Sequence, residues 1–375
     1  MRIAINTRLL LPGRLDGIGW FTYETTRRMV ISHPEVDFFL FFDRKPDAAF
    51  IFANNVHPVV LHPKTRHPIL WYLFFEWSVK RALKRYKIDL FLSPDGWMSL
   101  QTKVPTLDVI HDLNFEHADD FLRPSHQKYM KYFFPRFAHK ATRIATVSEF
   151  SKRDIASTYN ISTDKIDVVY DGAHNEYVPC NEEERQMTRE KYTNGSPYYI
   201  YISTISKRKN LTNTLLAFNQ FKENDKEDYK LVVVGARVWW DGELKEAYDN
   251  MQYKGDVIFV GRVEATELSR LLGAAQALVY VSLFEGFGIP ILEAFYAEVP
   301  VITSNCTSMP EVAGHAALLV DPTMVDDIAM AMQLISNDER RAMQLVEEGR
   351  RQRQLFSWER TANLLWESII KTATT

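Results

Sequence analysis

The sequence of 375 residues is poor in several features that mark particular classes of protein. It contains two cysteines, Cys180 and Cys306, which are too few for a disulfide scaffold and are typical of a reducing compartment. No apolar run approaches the roughly 20 residues that cross a bilayer, and residues 1–6 carry no signal-peptide pattern. We therefore expect a cytoplasmic protein, and peripheral contact with the inner face of a membrane stays open.

Further absences narrow the choice of ligand. The net charge of −3, from 45 basic and 48 acidic residues, argues against a nucleic-acid partner. The loop at residues 11–19 contains glycines but lacks a G-x-G-x-x-G fingerprint, which disfavours a nicotinamide-dependent oxidoreductase. No D-x-D-like pair stands at the end of a predicted strand, so we expect neither a metal nor another cofactor.

The length and the order of the patterns predict two α/β domains. A chain of this length exceeds one ordinary core. Apolar strand patterns alternate with helical patterns through both halves, which predicts parallel sheets. Residues 180–196 are polar and turn-rich, so we place the domain boundary there. The predicted domains are residues 1–180 and 196–355, followed by a C-terminal helix at 356–375.

The clearest functional pattern lies at residues 284–294, which read Phe-Glu-Gly-Phe-Gly-Ile-Pro-Ile-Leu-Glu-Ala. An apolar run at 276–282 predicts a buried strand before it, and Pro290 fits the start of a helix. The glycines between them, Gly286 and Gly288, permit positive φ and close approach of a ligand. Because free N–H groups of the helix face this turn, the pattern predicts a phosphate site.

Two carboxylates flank that turn. Glu285 precedes it, and Glu293 follows about one helical turn past the start of the helix. Both can accept hydrogen bonds from the hydroxyls of a sugar or a ribose. The alternative interpretation is a plain glycine turn, with Glu293 placed favourably by the helix dipole.

Basic and imidazole side chains also follow predicted strands. Lys207, Arg208 and Lys209 stand after the predicted strand at 198–205, at the start of a helix, and lack an obvious partner nearby in the sequence. Positive charge at a helix start opposes the dipole, so a bound anion explains it as well as a solvated basic turn does. His111 follows another predicted strand, where open α/β sheets bind ligands, although a hydrogen-bonded histidine at the edge of a core fits equally.

The predicted helix at residues 70–86 combines aromatic and basic side chains. It carries Trp71, Tyr72, Phe74, Phe75 and Trp77, and then Lys80, Arg81, Lys84 and Arg85. Such a helix can meet an anionic membrane or a lipid-linked substrate. Dense aromatics are also typical of core or interdomain packing, and basic residues complement a helix C-terminus. Both interpretations stay open.

Several of these motifs occur together in the order of one known family. They are Glu285-Gly286-Phe287-Gly288 through Glu293, His111-Asp112, Arg208-Lys209-Asn210 and Ser308-Met309-Pro310-Glu311. The set spans nearly the whole chain and resembles the retaining glycosyltransferases of family 4, with the E-x7-E spacing as its most specific part. The resemblance implies the GT-B fold, in which two Rossmann-like, doubly wound domains face each other across a cleft. It also implies that the last helix crosses back to the first domain.

The resemblance implies a role for each candidate residue. His111, Lys209 and Glu285 are the implied catalytic residues, with His111 near the transferred sugar and Glu285 on its hydroxyls. Lys209, helped by Arg208, would neutralise the diphosphate, and Glu293 would bind the ribose. The implied donor-binding set is Gly17, Gly19, Arg208, Lys209, Glu285, Gly286, Phe287, Gly288, Ile289 and Glu293.

The implied activity is metal-independent transfer of a sugar, with retention of configuration, from a nucleotide-sugar donor to a glycan or lipid-linked acceptor. We expect a role in polysaccharide or lipopolysaccharide biosynthesis, with mannose from GDP-mannose as the first choice. A UDP-sugar donor and a catalytically silent nucleotide-sugar-binding subunit are the alternatives.

Two departures from the family pattern bear on geometry. Ser203 and Thr204 stand where the family often has glycine and arginine, which places more of the diphosphate binding on the two cations. The segment at residues 297–300 lacks the family's glycine, so we expect altered geometry at that helix end.

Overall fold

The computed structural model describes residues 1–13, 15–65, 67–118, 121, 124–173, 176–223, 227–236, 240 and 242–375. Its contacts divide the chain into two compact units, one of Met1–Gly172 with Ser357–Thr375 and one of Ala173–Phe356. Each unit contains one sheet and its own hydrophobic core. The last segment of the chain therefore belongs to the same unit as the first.

The strands of each unit form one sheet. The first sheet contains β1 (Arg2–Asn6), β2 (Asp37–Phe42), β3 (Val56–Val60), β4 (Leu90–Ser93), β5 (Thr106–Val109), β6 (Arg143–Thr146) and β7 (Ile166–Val168). The second contains β8 (Tyr198–Ile202), β9 (Lys230–Val234), β10 (Val257–Gly261), β11 (Ala277–Tyr280), β12 (Val301–Ser304) and β13 (Leu318–Val320). Every strand pairing among the described residues is parallel.

The strand order gives each sheet a point at which the direction of winding reverses. The orders are β3-β2-β1-β4-β5-β6-β7 and β10-β9-β8-β11-β12-β13. The reversals fall between β1 and β4 and between β8 and β11. Open α/β sheets bind ligands beyond the carboxyl ends of their strands at such points. The predicted fold class, with two doubly wound parallel sheets of the GT-B type, is confirmed.

Helices connect the strands and end the chain. They are α1 (Gly17–Ser32), α2 (Pro68–Leu73), α3 (Lys80–Arg85), α4 (Asn114–His117), α5 (Pro124–Lys140), α6 (Glu149–Tyr159), α7 (Glu182–Thr193), α8 (Leu211–Glu223), α9 (Gly242–Asn250), α10 (Ala265–Gly273), α11 (Ile289–Tyr296), α12 (Met309–Ala313), α13 (Val325–Asn337), α14 (Glu339–Gln352) and α15 (Trp358–Thr374). The sequence pattern also predicts a helix from Arg123 to His139, which α5 matches apart from its start, since Arg123 lies outside the described residues. Among the described residues, no helix combines the length and the apolar content needed to cross a bilayer.

Strand β8 shows how aromatic residues are buried without losing hydrogen bonds. Its sequence is Tyr-Tyr-Ile-Tyr-Ile, and each of its side chains is buried, as expected for an inner strand of a parallel sheet. The Tyr198 hydroxyl donates to the Leu271 carbonyl at 2.6 Å, and the Tyr199 hydroxyl donates to the Met332 carbonyl at 2.6 Å. These bonds offset the cost of burying the hydroxyls.

The polar segment after the first unit is a helix and not a run of turns. We expected residues 180–196 to be rich in turns, and this prediction is wrong over α7. The Asn181 side chain accepts from the Glu184 amide at 2.9 Å, and the Glu184 carboxylate accepts from the Asn181 amide at 3.0 Å. This capping box, with three glutamates in the first turn, favours the helix. Asn194 ends it in the left-handed conformation.

The helix predicted at residues 70–86 is interrupted. A π-helical turn, Phe74–Val79, separates α2 from α3. In a π turn, residues five apart lie on nearly the same face. The interruption therefore lets both Phe74 and Val79 face the core, where each is 0% exposed.

The C-terminal helix packs on the helix that follows β1. The Trp366 ring stacks on His33 of the loop after α1 with ring centroids 3.6 Å apart, and Arg28 pairs with Glu359 at 3.4 Å. Lys371 reaches Asp167 at 3.2 Å. Apolar residues of α15, including Leu365 and Ile369, are fully buried in this contact, which fixes α15 within the first unit.

Helix α11 ends without a glycine. Glu298, just past the helix, has φ 57°, a conformation that favours glycine. The Val299 amide donates to the Ala294 carbonyl at 2.9 Å, so the helix end is still hydrogen-bonded. The Glu298 carboxylate also pairs with Arg350.

Candidate active site

The switch point of the second sheet brings together residues far apart in sequence. Strands β8 and β11 are neighbours, with Tyr199 beside Ala277 and Ile200 beside Leu278. The Lys207–Lys209 segment, a short 3-10 turn, follows β8, and Glu285 follows β11. The Leu283 amide donates to the Arg208 carbonyl at 2.8 Å, which ties the two loops together.

Glu285 holds the two predicted cations. Lys209 Nζ donates to one carboxylate oxygen at 2.6 Å, and Arg208 Nη1 donates to the other at 2.8 Å. Arg208 Nη1 also donates to the Phe284 carbonyl at 2.6 Å. Glu285 itself is only 6% exposed. The result is a buried group of two cations and one carboxylate at the carboxyl edge of the sheet.

The presence of this carboxylate corrects one argument from the sequence. The sequence offered no nearby acidic partner for these cations, which was part of the argument for a bound anion. The structure supplies such a partner in Glu285, 76 residues beyond Lys209. The partner was invisible in the sequence because it depends on the pairing of β8 with β11. The two positive charges exceed the single negative charge by one, so the group can attract a further anion.

The cations keep Glu285 ionised. Burial raises the pKa of this carboxyl, but the charges of Arg208 and Lys209 outweigh burial and lower the pKa to about 2. Glu285 therefore accepts hydrogen bonds at neutral pH and does not donate a proton.

The glycine turn has the geometry that a helix start requires. Gly288 has φ 110°, and Pro290 stands in the first turn of α11. Ser308 Oγ donates to the carbonyls of Glu285 and Phe287, at 2.9 Å each, and is fully buried. The turn is thus fixed by a side chain from the loop before α12. It leads directly into Ile289, the first residue of α11.

Glu293 has a different environment from Glu285. It lies in α11, is 8% exposed, and is hydrogen-bonded to the Tyr177 hydroxyl. Burial raises its pKa to about 7, and the Tyr177 hydrogen bond offsets only part of that effect. The two carboxylates of the E-x7-E motif therefore differ in charge state near neutral pH, one being ionised and the other about half protonated.

His111 lies in the first unit, just beyond β5. Its Nε2 donates to the Pro94 carbonyl at 2.8 Å, and its ring packs edge-on against Phe21 with centroids 4.9 Å apart. Burial lowers the pKa of His111, although the Pro94 hydrogen bond and nearby carboxylates, Asp112 among them, oppose this. A neutral ring that donates through Nε2 keeps Nδ1 as an acceptor.

Gly17 and Gly19 lie in a helix and not in a loop. Helix α1 begins at Gly17, because the Asp16 side chain accepts from the Gly19 amide at 3.1 Å and caps it. Among the described residues, a Cβ on Gly17 would meet no atom within 4 Å, whereas one on Gly19 would lie 3.3 Å from the Leu9 carbonyl oxygen. Gly17 thus adds no side chain to the first turn of α1. Arg14, in the predicted loop before it, lies outside the described residues.

Several residues that position the site were not identified from the sequence. The Tyr280 hydroxyl accepts from Lys209 Nζ at 2.9 Å, and the Tyr201 hydroxyl donates to the Lys209 carbonyl at 3.2 Å. The Asn210 side chain donates to the Val281 carbonyl at 2.9 Å. Of these three residues, Asn210 belongs to the Arg208-Lys209-Asn210 motif quoted above, so the sequence carried a signal for it.

Comparison with known proteins places this geometry in a family. The family model described as Glycosyltransferase Family 4 matches residues 15–176, and the one described as Glycosyl transferases group 1 matches residues 182–352. The chain is 30% identical over 363 residues to O-antigen chain mannosyltransferase B of Escherichia coli, covering 92% of this chain and 93% of that protein. The chain belongs to glycosyltransferase family 4. The resemblance drawn from the motifs is confirmed.

A further relative and a solved structure agree. O-antigen chain mannosyltransferase RfbU of Salmonella typhimurium is 27% identical, over 72% of this chain and 71% of that protein. The crystal structure of Anabaena Alr3699/HepE in complex with UDP-glucose has the same fold, with a TM-score of 0.75. It is 16% identical and covers 99% of this chain and 100% of that one. The protein is therefore a glycosyltransferase.

Proposed function

We propose that the protein transfers mannose, with retention of configuration and without a metal ion, from a nucleotide-linked donor to the glycan or lipid-linked acceptor of a bacterial surface polysaccharide. The observation that carries this proposal is the group of Arg208, Lys209 and Glu285 beside the glycine turn at the switch point. It offers positive charge to a diphosphate and an ionised carboxylate to sugar hydroxyls, side by side.

The roles within the second unit rest on the family resemblance, and the group of Arg208, Lys209 and Glu285 supports them. Arg208 and Lys209 stabilise the leaving diphosphate, and fixed cations in a site with little water stabilise developing negative charge strongly. Glu285 accepts hydrogen bonds from the transferred sugar. The backbone of Gly286, Phe287, Gly288 and Ile289 lines the phosphates and the sugar, and Glu293 binds the ribose.

The roles within the first unit rest on the family resemblance. We assign His111 to alignment of the transferred sugar, and its neutral ring with a free acceptor nitrogen suits that task. We assign Gly17 and Gly19 to the phosphates by the same resemblance, and an added Cβ on Gly17 would meet no atom of the described residues within 4 Å.

Mannose is favoured by the relatives. The proteins named above that share 27–30% identity with this chain are O-antigen mannosyltransferases. The second candidate is a UDP-sugar transferase, favoured by the solved structure in complex with UDP-glucose. A catalytically silent subunit that only binds nucleotide sugars is disfavoured, because the chain retains Glu285, Lys209 and His111 of the family's motifs.

A panel of nucleotide sugars tests the donor. We expect GDP-mannose to raise the melting temperature most and to be the donor that is hydrolysed slowly without acceptor. If UDP-glucose raised the melting temperature more and were hydrolysed faster than GDP-mannose, the result would contradict mannose transfer and favour the second candidate. Binding without hydrolysis or transfer for every donor, with lipid-linked oligosaccharide present, would favour the silent subunit.

We also propose that the protein works at the cytoplasmic face of a membrane through the α2–α3 segment. Among its side chains Ile69 is 65% exposed and Trp77 is 62% exposed, while Phe74 and Phe75 are buried in the core. The Arg81 guanidinium lies over the Trp77 ring at 5.7 Å. Exposed aromatic and basic side chains on one segment favour anionic lipid surfaces.

Vesicle sedimentation tests this contact. We expect binding to vesicles that contain anionic lipid, little binding to neutral vesicles, and a clear loss with Trp77→Ala. Met187→Ala, which removes another side chain that is 61% exposed, is the control and should bind like the parental protein. Equal binding of the Trp77 variant and the parental protein would contradict the proposal.

A further inference from the structure

Glu285 occupies both cations to which the proposed function assigns the donor diphosphate. One carboxylate oxygen contacts Lys209 Nζ at 2.6 Å and the other contacts Arg208 Nη1 at 2.8 Å, so both oxygens are engaged. The side chains of the two cations are mostly buried, with 16% of Lys209 and 20% of Arg208 exposed. Little water can therefore replace Glu285, and the protein itself neutralises one of the two positive charges.

A bound diphosphate would conflict with this arrangement. Its negative charges would join the Glu285 carboxylate around two cations in a site with little water. Like charges repel strongly where solvent screening is weak. The two anions therefore compete for contacts with the same two cations when both are present.

The surrounding contacts indicate which group moves. The backbone around Glu285 is held by Ser308 Oγ, which bonds the Glu285 carbonyl at 2.9 Å. Arg208 is fixed by the Phe284 carbonyl at 2.6 Å, and Lys209 keeps the Tyr280 hydroxyl at 2.9 Å as a second partner. Arg208 and Lys209 thus each keep a second partner if Glu285 leaves them. The Glu285 side chain can turn without moving the backbone that Ser308 holds, so we expect Glu285 to move.

We propose that Glu285 is an internal counter-ion that competes with the nucleoside diphosphate for Arg208 and Lys209. It turns from the cations to the sugar when the donor binds, and it returns to them as the diphosphate leaves. The carboxylate that contacts the sugar thereby also weakens product binding and speeds product release. This inference rests on the proposed function.

Calorimetric titration with GDP and with UDP tests the competition. We expect Glu285→Gln to bind the preferred diphosphate about tenfold more tightly than the parental protein, which corresponds to about 1.4 kcal/mol. Lys209→Ala should bind it more weakly. Glu298→Gln is the matched control, because it removes a carboxylate paired with Arg350 elsewhere in the same unit and should leave the affinity unchanged.

The outcomes separate this inference from the proposed function. If Glu285→Gln binds the diphosphate no more tightly than the parental protein while Lys209→Ala binds it weakly, the competition is refuted and the diphosphate site stands. If Lys209→Ala binds it normally, both are refuted.

A crystal structure of the parental protein with bound diphosphate tests the same competition without any variant. Glu285 should then lie beyond the ion-pair limit of about 4 Å from Lys209 Nζ. Retention of the 2.6 Å contact would also overturn the inference.

Discussion

Glu293 is a buried carboxyl group whose ionisation the fold opposes. Burial raises its pKa from the ordinary value of 4.5 to about 7. The folded protein therefore holds this proton more tightly than the unfolded chain does. The resulting contribution to stability is fully present below pH 4.5 and is lost as the pH rises through 7. With these two pKa values, the free energy of unfolding falls by about 2–3 kcal/mol between pH 5 and pH 8.

The substitution Glu293→Gln removes this titration and keeps the size of the side chain. We expect the variant to lack the loss between pH 5 and pH 8, so that it is the more stable protein at pH 8. For a unit of this size, about 2–3 kcal/mol corresponds to a difference in melting temperature of roughly 4–12 °C. Urea unfolding and thermal melting of both proteins at pH 5, 6, 7 and 8 would measure it.

Glu285→Gln is the control, because the pKa of Glu285 is shifted in the opposite direction from that of Glu293. Although burial raises the Glu285 pKa, the cations lower it to about 2, so its contribution to stability is lost only as the pH falls below 4.5. This variant should be less stable than the parental protein by a similar amount at pH 5 and pH 8. The reasoning is refuted if Glu293→Gln shows the same dependence on pH as the parental protein.

Three other expectations can be tested with the same protein. Saturation kinetics should show that Glu285→Gln chiefly lowers turnover, because losing one charge-assisted hydrogen bond costs roughly 1.5–3 kcal/mol of transition-state stabilisation. Glu293→Gln should chiefly weaken nucleotide binding. Equal effects of the two variants on turnover and on binding would contradict the assigned roles. Excess chelator should leave transfer nearly unchanged, and abolition of transfer with rescue by manganese or magnesium would count against cationic stabilisation by protein groups. Gly235→Ala should destabilise the second unit by roughly 1–3 kcal/mol or more, because Gly235 has φ 144° and an added Cβ would lie 1.8 Å from the Ser203 carbonyl oxygen. Gly255→Ala is the control, since an added Cβ there would meet no atom of the described residues within 4 Å. Equal melting temperatures of the two variants would refute the argument.

The parallel strands were largely predictable because they are buried on both faces. The segment at residues 276–282 is almost continuously apolar, and β11 lies within it. Strand β13 was missed, since its three residues are too few for a periodic pattern. Helix α7 was missed although its capping box was visible, because the acidic residues were interpreted as a polar connection.

The candidate site was predictable in composition but not in electrostatics. Motif spacing identified Glu285, Glu293 and the cations. Their interactions depend on the pairing of β8 with β11, which no local pattern encodes. The pKa of Glu293 depends on burial, and the contact of Lys209 with Tyr280 depends on where β11 ends.

The central claim is that Lys209 and Arg208 hold the donor diphosphate, and donor saturation kinetics of Lys209→Ala test it most directly. Lys209 Nζ lies at the centre of the buried group, 2.6 Å from Glu285. Loss of one such contact in a buried site costs on the order of 2–4 kcal/mol of transition-state stabilisation, or roughly a 30-fold to 1,000-fold loss of kcat/KM for the donor. Lys222→Ala, which removes a lysine paired with Asp228 and Asp256 at another place in the same unit, is the control and should retain parental kinetics. Turnover of donor and acceptor by Lys209→Ala at the parental rate would contradict the account.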